Sequence, residues 1–122
     1  GFCDLLRPAL YGSYHEIEVV GANGVASDRP SIPCLVSGPL CESGDVFTRS
    51  ETELLDPRTL PRPEVGDLLV VQDTGAYGAV MSSNYLSMGR AAEVWWEDGR
   101  ARVISRRETV EDLVGLECDV SL

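Results

Sequence analysis

A thiol and a carboxylate stand side by side at Cys41 and Glu42, within the segment GPLCESGD at residues 38–45. A cysteine there can donate a proton or act as a nucleophile, and a carboxylate can bind an ammonium group. Glycines at Gly38 and Gly44 let such a loop bend near a ligand. The same letters also describe a plain turn with a small buried thiol and two solvated acids, Glu42 and Asp45. A second cluster, DTGAYG at residues 73–78, follows an apolar run. Glycines and a hydroxyl after a strand can approach a phosphate. The cluster lacks the Gly-Lys-Ser/Thr ending of a Walker loop, and an ordinary strand-turn-strand has the same appearance. A third, RPALY at residues 7–11, pairs Arg7 with Tyr11. A guanidinium fork can clamp a carboxylate bidentately, with the phenol adding a bond. Its plain counterpart is a surface salt bridge beside a half-buried aromatic. His15, the only histidine, reads as a hydrogen-bonded structural residue rather than a ligand.

The elements that must hold these clusters are short. The chain has 122 residues, 43% of them hydrophobic, which is about one domain with a real core. Residues 15–20 (HEIEVV) alternate polar and apolar as a half-buried strand does. Residues 33–36 form a brief apolar run. Residues 68–72 (LLVVQ) read as a strong strand launched from a turn at Gly66 and Asp67. Residues 76–82 read as a further strand, with Gly75 and Gly78 marking close backbone approaches. Residues 92–96 and 101–105 flank Asp98-Gly99, a hairpin signal, and Trp95 and Trp96 point to opposite strand faces, one toward a core. Residues 58–64, with two prolines, read as a surface loop. Helices are expected to start at residues 50–53, ahead of Pro57, and at Thr109, a cap with an acid three residues on. Gly115 would end the second. Together these predict an all-β fold, a Greek-key-like barrel or sandwich with one or two short helices.

Composition excludes several roles. Twenty acidic against ten basic residues give a net charge of −10. Such a surface repels nucleic acid and anionic membrane faces. No apolar run approaches the roughly 20 residues that span a bilayer. Cys3, Cys34, Cys41 and Cys118 show no Cys-x-x-Cys spacing, so a zinc site is not expected; with no secretory signal, reduced thiols in a cytoplasm are expected over a disulfide framework. All ten basic residues are arginines, so this chain cannot by itself hold pyridoxal phosphate through a Schiff-base lysine. It opens on Gly1-Phe2-Cys3-Asp4, without the features of a signal peptide, and reads as a piece of something longer.

Four segments occur together and in order: RPALYGSYHEI (7–17), GPLCESGD (38–45), DTGAYGAVMSSNY (73–85) and RRETVEDL (106–113). In that order they resemble the C-terminal part of the diaminopimelate decarboxylases, within the group IV, alanine-racemase-like pyridoxal-phosphate decarboxylases. The resemblance implies that residues 1–122 are the C-terminal β-domain of a two-domain enzyme. Its N-terminal (β/α)8 barrel, absent here, would carry the lysine that binds pyridoxal 5'-phosphate. It implies a cytoplasmic homodimer that takes a small amino-acid substrate, meso-2,6-diaminopimelate, to L-lysine and CO2, with active sites between one subunit's barrel and the other's β-domain. Cys41 matches the cysteine that reaches across the dimer and helps reprotonate the decarboxylated carbon. Glu42 matches the acid that binds the distal ammonium. Arg7 and Tyr11 match groups that bind the distal carboxylate, and Tyr77 a tyrosine near cofactor phosphate and substrate. A thiol is a suitable donor for that proton delivery. An arginine with a glutamate selects a zwitterionic far end, which ornithine and lysine lack. The alternatives are the same domain of an ornithine, arginine or carboxynorspermidine decarboxylase, or a non-catalytic binding module.

Overall fold

The computed structural model of the chain describes residues 1–50, 52 and 55–118. In chain order the elements are helix α1 (Arg7–Tyr11), strands β1 (Ile17–Val20), β2 (Ser31–Cys34), β3 (Arg58–Pro61) and β4 (Leu68–Val71), helix α2 (Gly78–Met81), a 3-10 turn (Tyr85–Ser87), strands β5 (Glu93–Glu97) and β6 (Arg100–Ser105), and helix α3 (Val110–Val114). The architecture is mostly strands in small sheets with a few short helices. Among the described residues the strands pair antiparallel as β1-β4, β2-β3 and β5-β6, and no closed barrel forms.

The alternation at residues 15–20 gives β1 its buried side. Ile17 and Val19 are buried, and Glu18 between them is exposed. Ile17 pairs with Val71 and Val20 with Leu68. Leu60 of β3 completes the core, with Cys34, Val36, Phe47 and Val71 packed around it. Leu60 thus overturns the loop expected over residues 58–64. Pro61 is tolerated because it ends the strand, paired with Ser31, in a two-stranded sheet with open edges.

The strand expected over residues 76–82 is not present; Gly78–Met81 within it form helix α2. Asp73, at φ 57°, turns the chain out of the β4 direction, and a short apolar run has no period that distinguishes strand from helix. A Cβ at Gly75 would meet nothing within 4 Å, and one at Gly78 only the Thr74 Cβ at 3.8 Å. Neither marks a close approach. Helix α1 was not foreseen either. Pro8 sits in its first turn, where the missing N–H has no role. Gly12, at φ 64°, ends it with its N–H 3.1 Å from the Pro8 carbonyl.

Asp98 (φ 49°) and Gly99 (φ 71°) are both left-handed, as a type I′ hairpin requires. Every residue of β5 and β6 is exposed. Trp95 and Trp96 are 51% and 69% exposed. Neither ring is in a core, because no element among the described residues covers either face of that hairpin. Thr109 and Asp112 form the expected capping box of α3, and Gly115 ends it in a right-handed conformation. The helix expected from residues 50–53 involves Glu51 and Glu53, which lie outside the described residues; Arg49 and Leu55 face each other across an antiparallel bridge.

Four carboxylates among the described residues titrate low, Glu111 through its hydrogen bond with the Thr109 side chain and three others. Backbone N–H donation at Glu64, with the Arg29 guanidinium, holds Asp67 below its ordinary value of 3.8. Backbone N–H donation at Arg90, with the Asn84 amide, does the same for Glu108 from 4.5. The Arg106 fork and the Thr109 N–H lower Asp112 furthest. A lowered folded pKa contributes stability above the unfolded value, and that stability is lost as protons bind the folded form. The thermal midpoint is therefore expected to stay level between pH 7 and 5 and to fall below about pH 4.5. A midpoint unchanged down to pH 3 would contradict these ties.

Candidate functional site

Helix α1 presents Arg7 at its first position, and a buried histidine aims it. His15 is 3% exposed, and its Nδ1 lies 2.9 Å from the Gln72 carbonyl. A carbonyl only accepts, so Nδ1 carries the hydrogen and Nε2 is left as an acceptor. Nε2 lies 3.5 Å from Arg7 Nη1. On its other side the Arg7 guanidinium stacks over the Tyr77 ring, 5.0 Å from its centroid. Neither neighbour is a carboxylate. Among the described residues no carboxylate pairs with Arg7, so its fork has charge to offer an incoming anion. His15 is hydrogen-bonded as the sequence suggests, and it also orients this arginine. The surface salt bridge offered as the plain reading of residues 7–11 is not present among the described residues. Tyr77 is 51% exposed and Tyr11 is 59% exposed. No hydrogen bond among the described residues ties the Tyr11 hydroxyl to Arg7 or Tyr77.

The segment at 38–45 is a closed loop on a two-residue bridge, Ser37 with Val46. The Gly38 N–H donates to the Asp45 carbonyl at 2.9 Å, and the Asp45 N–H to the Glu42 carbonyl at 3.0 Å. The plain reading of this loop assigned burial the wrong way round. Cys41 is an exposed free thiol. Glu42 is exposed too, and the buried member is Asp45 at 2%. The close approach for which glycine is needed is at Gly38, where a Cβ would sit 2.1 Å from Asp45 Oδ2.

Tyr85 is a residue that the sequence reading left without a role. Its hydroxyl donates to Glu42 Oε2 at 3.3 Å. That carboxylate, with Cys41 nearby, pushes the phenol pKa up and keeps the hydroxyl a donor. The Tyr85 ring stacks on Phe2, with centroids 5.4 Å apart. Leu86, immediately after it, is held at φ 56°, a costly conformation for a branched side chain. Tyr85 closes the DTGAYGAVMSSNY segment, but no spacing signal links it to a glutamate 43 positions earlier. The site residues thus fall into two groups: Arg7, His15 and Tyr77, and Cys41, Glu42 and Tyr85. The stretch from Tyr77 to Tyr85 runs between them and is tied to the N-terminal turn by Ser83 N–H donating to the Cys3 carbonyl at 2.9 Å. A cavity of about 370 Å³ lies beside that turn, against α2 and the start of β5, and none of the predicted site residues lines it. No cluster of three or more metal-ligating side chains occurs among the described residues, and no helix among them is long and apolar enough to cross a membrane.

The family described as pyridoxal-dependent decarboxylase, C-terminal sheet domain, matches residues 1–75. A diaminopimelate decarboxylase of Escherichia coli (strain K12) is 52% identical over 118 residues, covering 96% of this chain and 28% of that protein. One of Streptomyces coelicolor is 47% identical over 119 residues, covering 98% of this chain and 27% of that protein. Among solved structures, a crystal structure of diaminopimelate decarboxylase superposes with a TM-score of 0.91 at 52% identity, over 96% of this chain and 28% of its own. The Helicobacter pylori diaminopimelate decarboxylase complexed with L-lysine gives 0.79 at 40% identity, over 96% and 26%. This chain therefore spans little more than a quarter of the length of the relatives it matches.

Proposed function

Since this chain belongs to the family of pyridoxal-dependent decarboxylase C-terminal sheet domains, we propose that residues 1–122 are the C-terminal β-domain of a cytoplasmic decarboxylase converting meso-2,6-diaminopimelate to L-lysine and CO2. The observation that carries the substrate is a pair of unmatched charges. Arg7 has no carboxylate partner and Glu42 no cation among the described residues. A far end bearing both a carboxylate and an ammonium group satisfies both, and ornithine or arginine cannot. Within the assembled site Arg7, with Tyr11, binds the distal carboxylate, and Glu42 binds the distal ammonium. Tyr77 contributes to substrate and cofactor together. Cys41 Sγ holds the proton that replaces the departing carboxyl group.

Pyridoxal 5'-phosphate supplies the electron sink for bond cleavage. Tyr77, half-exposed with the Arg7 guanidinium against its ring, fits the edge of a planar, phosphate-bearing group. With no lysine in this chain, the covalent anchor belongs to an N-terminal barrel domain.

The surface supports a chain that is normally covered. It exposes 8899 Å², against about 6,400 Å² for a compact monomer of this length. Large apolar side chains such as Trp95, Trp96, Val103 and Ile104 contribute to the excess. That excess matches the interfaces of an obligate assembly, here the barrel and a second subunit. In that setting the three small sheets belong to one Greek-key-like barrel or sandwich.

The isolated chain, supplied with pyridoxal phosphate, is expected to release no CO2 from diaminopimelate, while the full-length protein does so. Turnover by the chain alone would overturn the assignment of the anchor to another domain. A full-length protein inert toward diaminopimelate would overturn the function.

A further inference from the structure

We propose that Asp45 is the positioning residue that sets where Cys41 and Glu42 stand, an inference that rests on the roles proposed above for those two. Asp45 is buried, yet no arginine among the described residues pairs with it. Its carboxylate is held by backbone N–H groups from two directions. Phe2 N–H donates to Oδ1 at 2.7 Å, and Leu40 N–H donates to Oδ2 at 2.9 Å. Leu40 is the residue immediately before Cys41. Phe2 belongs to the N-terminal segment and stacks on Tyr85, whose hydroxyl holds Glu42. One carboxylate therefore grips the loop tip twice, directly at Leu40 and through Phe2 and Tyr85 at Glu42.

The space around it leaves little freedom. A Cβ at Gly38 would lie 2.1 Å from Oδ2, 2.5 Å from Oδ1 and 2.5 Å from the Gly1 Cα. The carboxylate cannot swing aside without moving the N-terminal segment. A buried carboxylate without a hydrogen-bonded setting is strongly disfavoured, so the two N–H donors and the charge hold one another in place. The exposed thiol and carboxylate at the tip gain a fixed position that an open loop would not give them, and proton delivery depends on that position.

The test uses the full-length holoenzyme and a double-mutant cycle. Asp45→Asn keeps the shape but turns one acceptor into a donor facing an N–H. It is expected to lower kcat about tenfold or more, and to add no further loss in a Cys41→Ala background, because its effect passes through Cys41. Losses that multiply across the two sites would assign Asp45 to the fold alone and overturn the proposal, as would an unchanged kcat. If Asp45→Asn does not assemble with cofactor, Gly38→Ala, which crowds the same carboxylate without removing it, takes its place in the cycle. Failure of both variants to bind cofactor would also overturn the proposal. A Cys41→Ala enzyme at full rate would instead overturn the role of Cys41, and the coupling with it. A Cys41→Ala loss beside an unaffected Asp45→Asn sinks the positioning alone.

Discussion

Cys41→Ala in the full-length enzyme is expected to lower kcat for diaminopimelate decarboxylation by about a hundredfold or more, with KM little changed. A positioned general acid contributes about 10²- to 10⁴-fold. Among the described residues the thiol at Cys41 is free and exposed at the tip of a closed loop. Its neighbour Glu42 is engaged by Tyr85 and cannot replace it as an acid while binding an ammonium group as a carboxylate. The alanine variant keeps the loop, since Asp45 and the bridge at Ser37 and Val46 do not involve the sulfur. Steady-state CO2 release on both enzymes measures the difference. A kcat within threefold of the parent would remove Cys41 from proton delivery.

Glu42→Ala should act on binding instead. In the role proposed for Glu42 the substitution removes one charge-assisted hydrogen bond to the distal ammonium, worth about 1.5–3 kcal/mol, so kcat/KM should fall about ten- to 150-fold, mostly through KM. Tyr85→Phe should move KM in the same direction by less, because the carboxylate remains and only its orientation is loosened. The order of the two effects separates binding from mere loop damage. An unchanged KM in Glu42→Ala would take Glu42 out of the site.

What the sequence made legible was local. The alternation through Ile17 and Val19 and the Asp98-Gly99 turn are fixed by neighbours in the chain, as is the Thr109-Asp112 box, and the structure has all three. β3 was not legible, because two prolines outweigh a single buried leucine until β1 is there to receive it. α2 was missed for want of a period in so short an apolar run. The site divided in the same way. The residue types at Arg7, Cys41, Glu42 and Tyr77 could be read from motifs. The stacking of Arg7 on Tyr77, the hold of Tyr85 on Glu42 and the burial of Asp45 join residues dozens of positions apart, and only the fold brings them together. Trp95 and Trp96 were misjudged for a related reason. A strand's alternation shows that its faces differ, not that the same chain supplies anything to cover them.

The central claim is that this domain serves an enzyme selecting a zwitterionic far end. The measurement that tests it most directly is kcat/KM for CO2 release by the full-length protein from meso-diaminopimelate, ornithine and arginine side by side, with pyridoxal phosphate supplied. The account predicts release from diaminopimelate, with the other two slower by at least a hundredfold, since each lacks the distal carboxylate and leaves Arg7 facing no partner. Comparable release from ornithine or arginine would contradict the roles of Arg7 and Glu42, and release from none of the three would leave the domain a binding module.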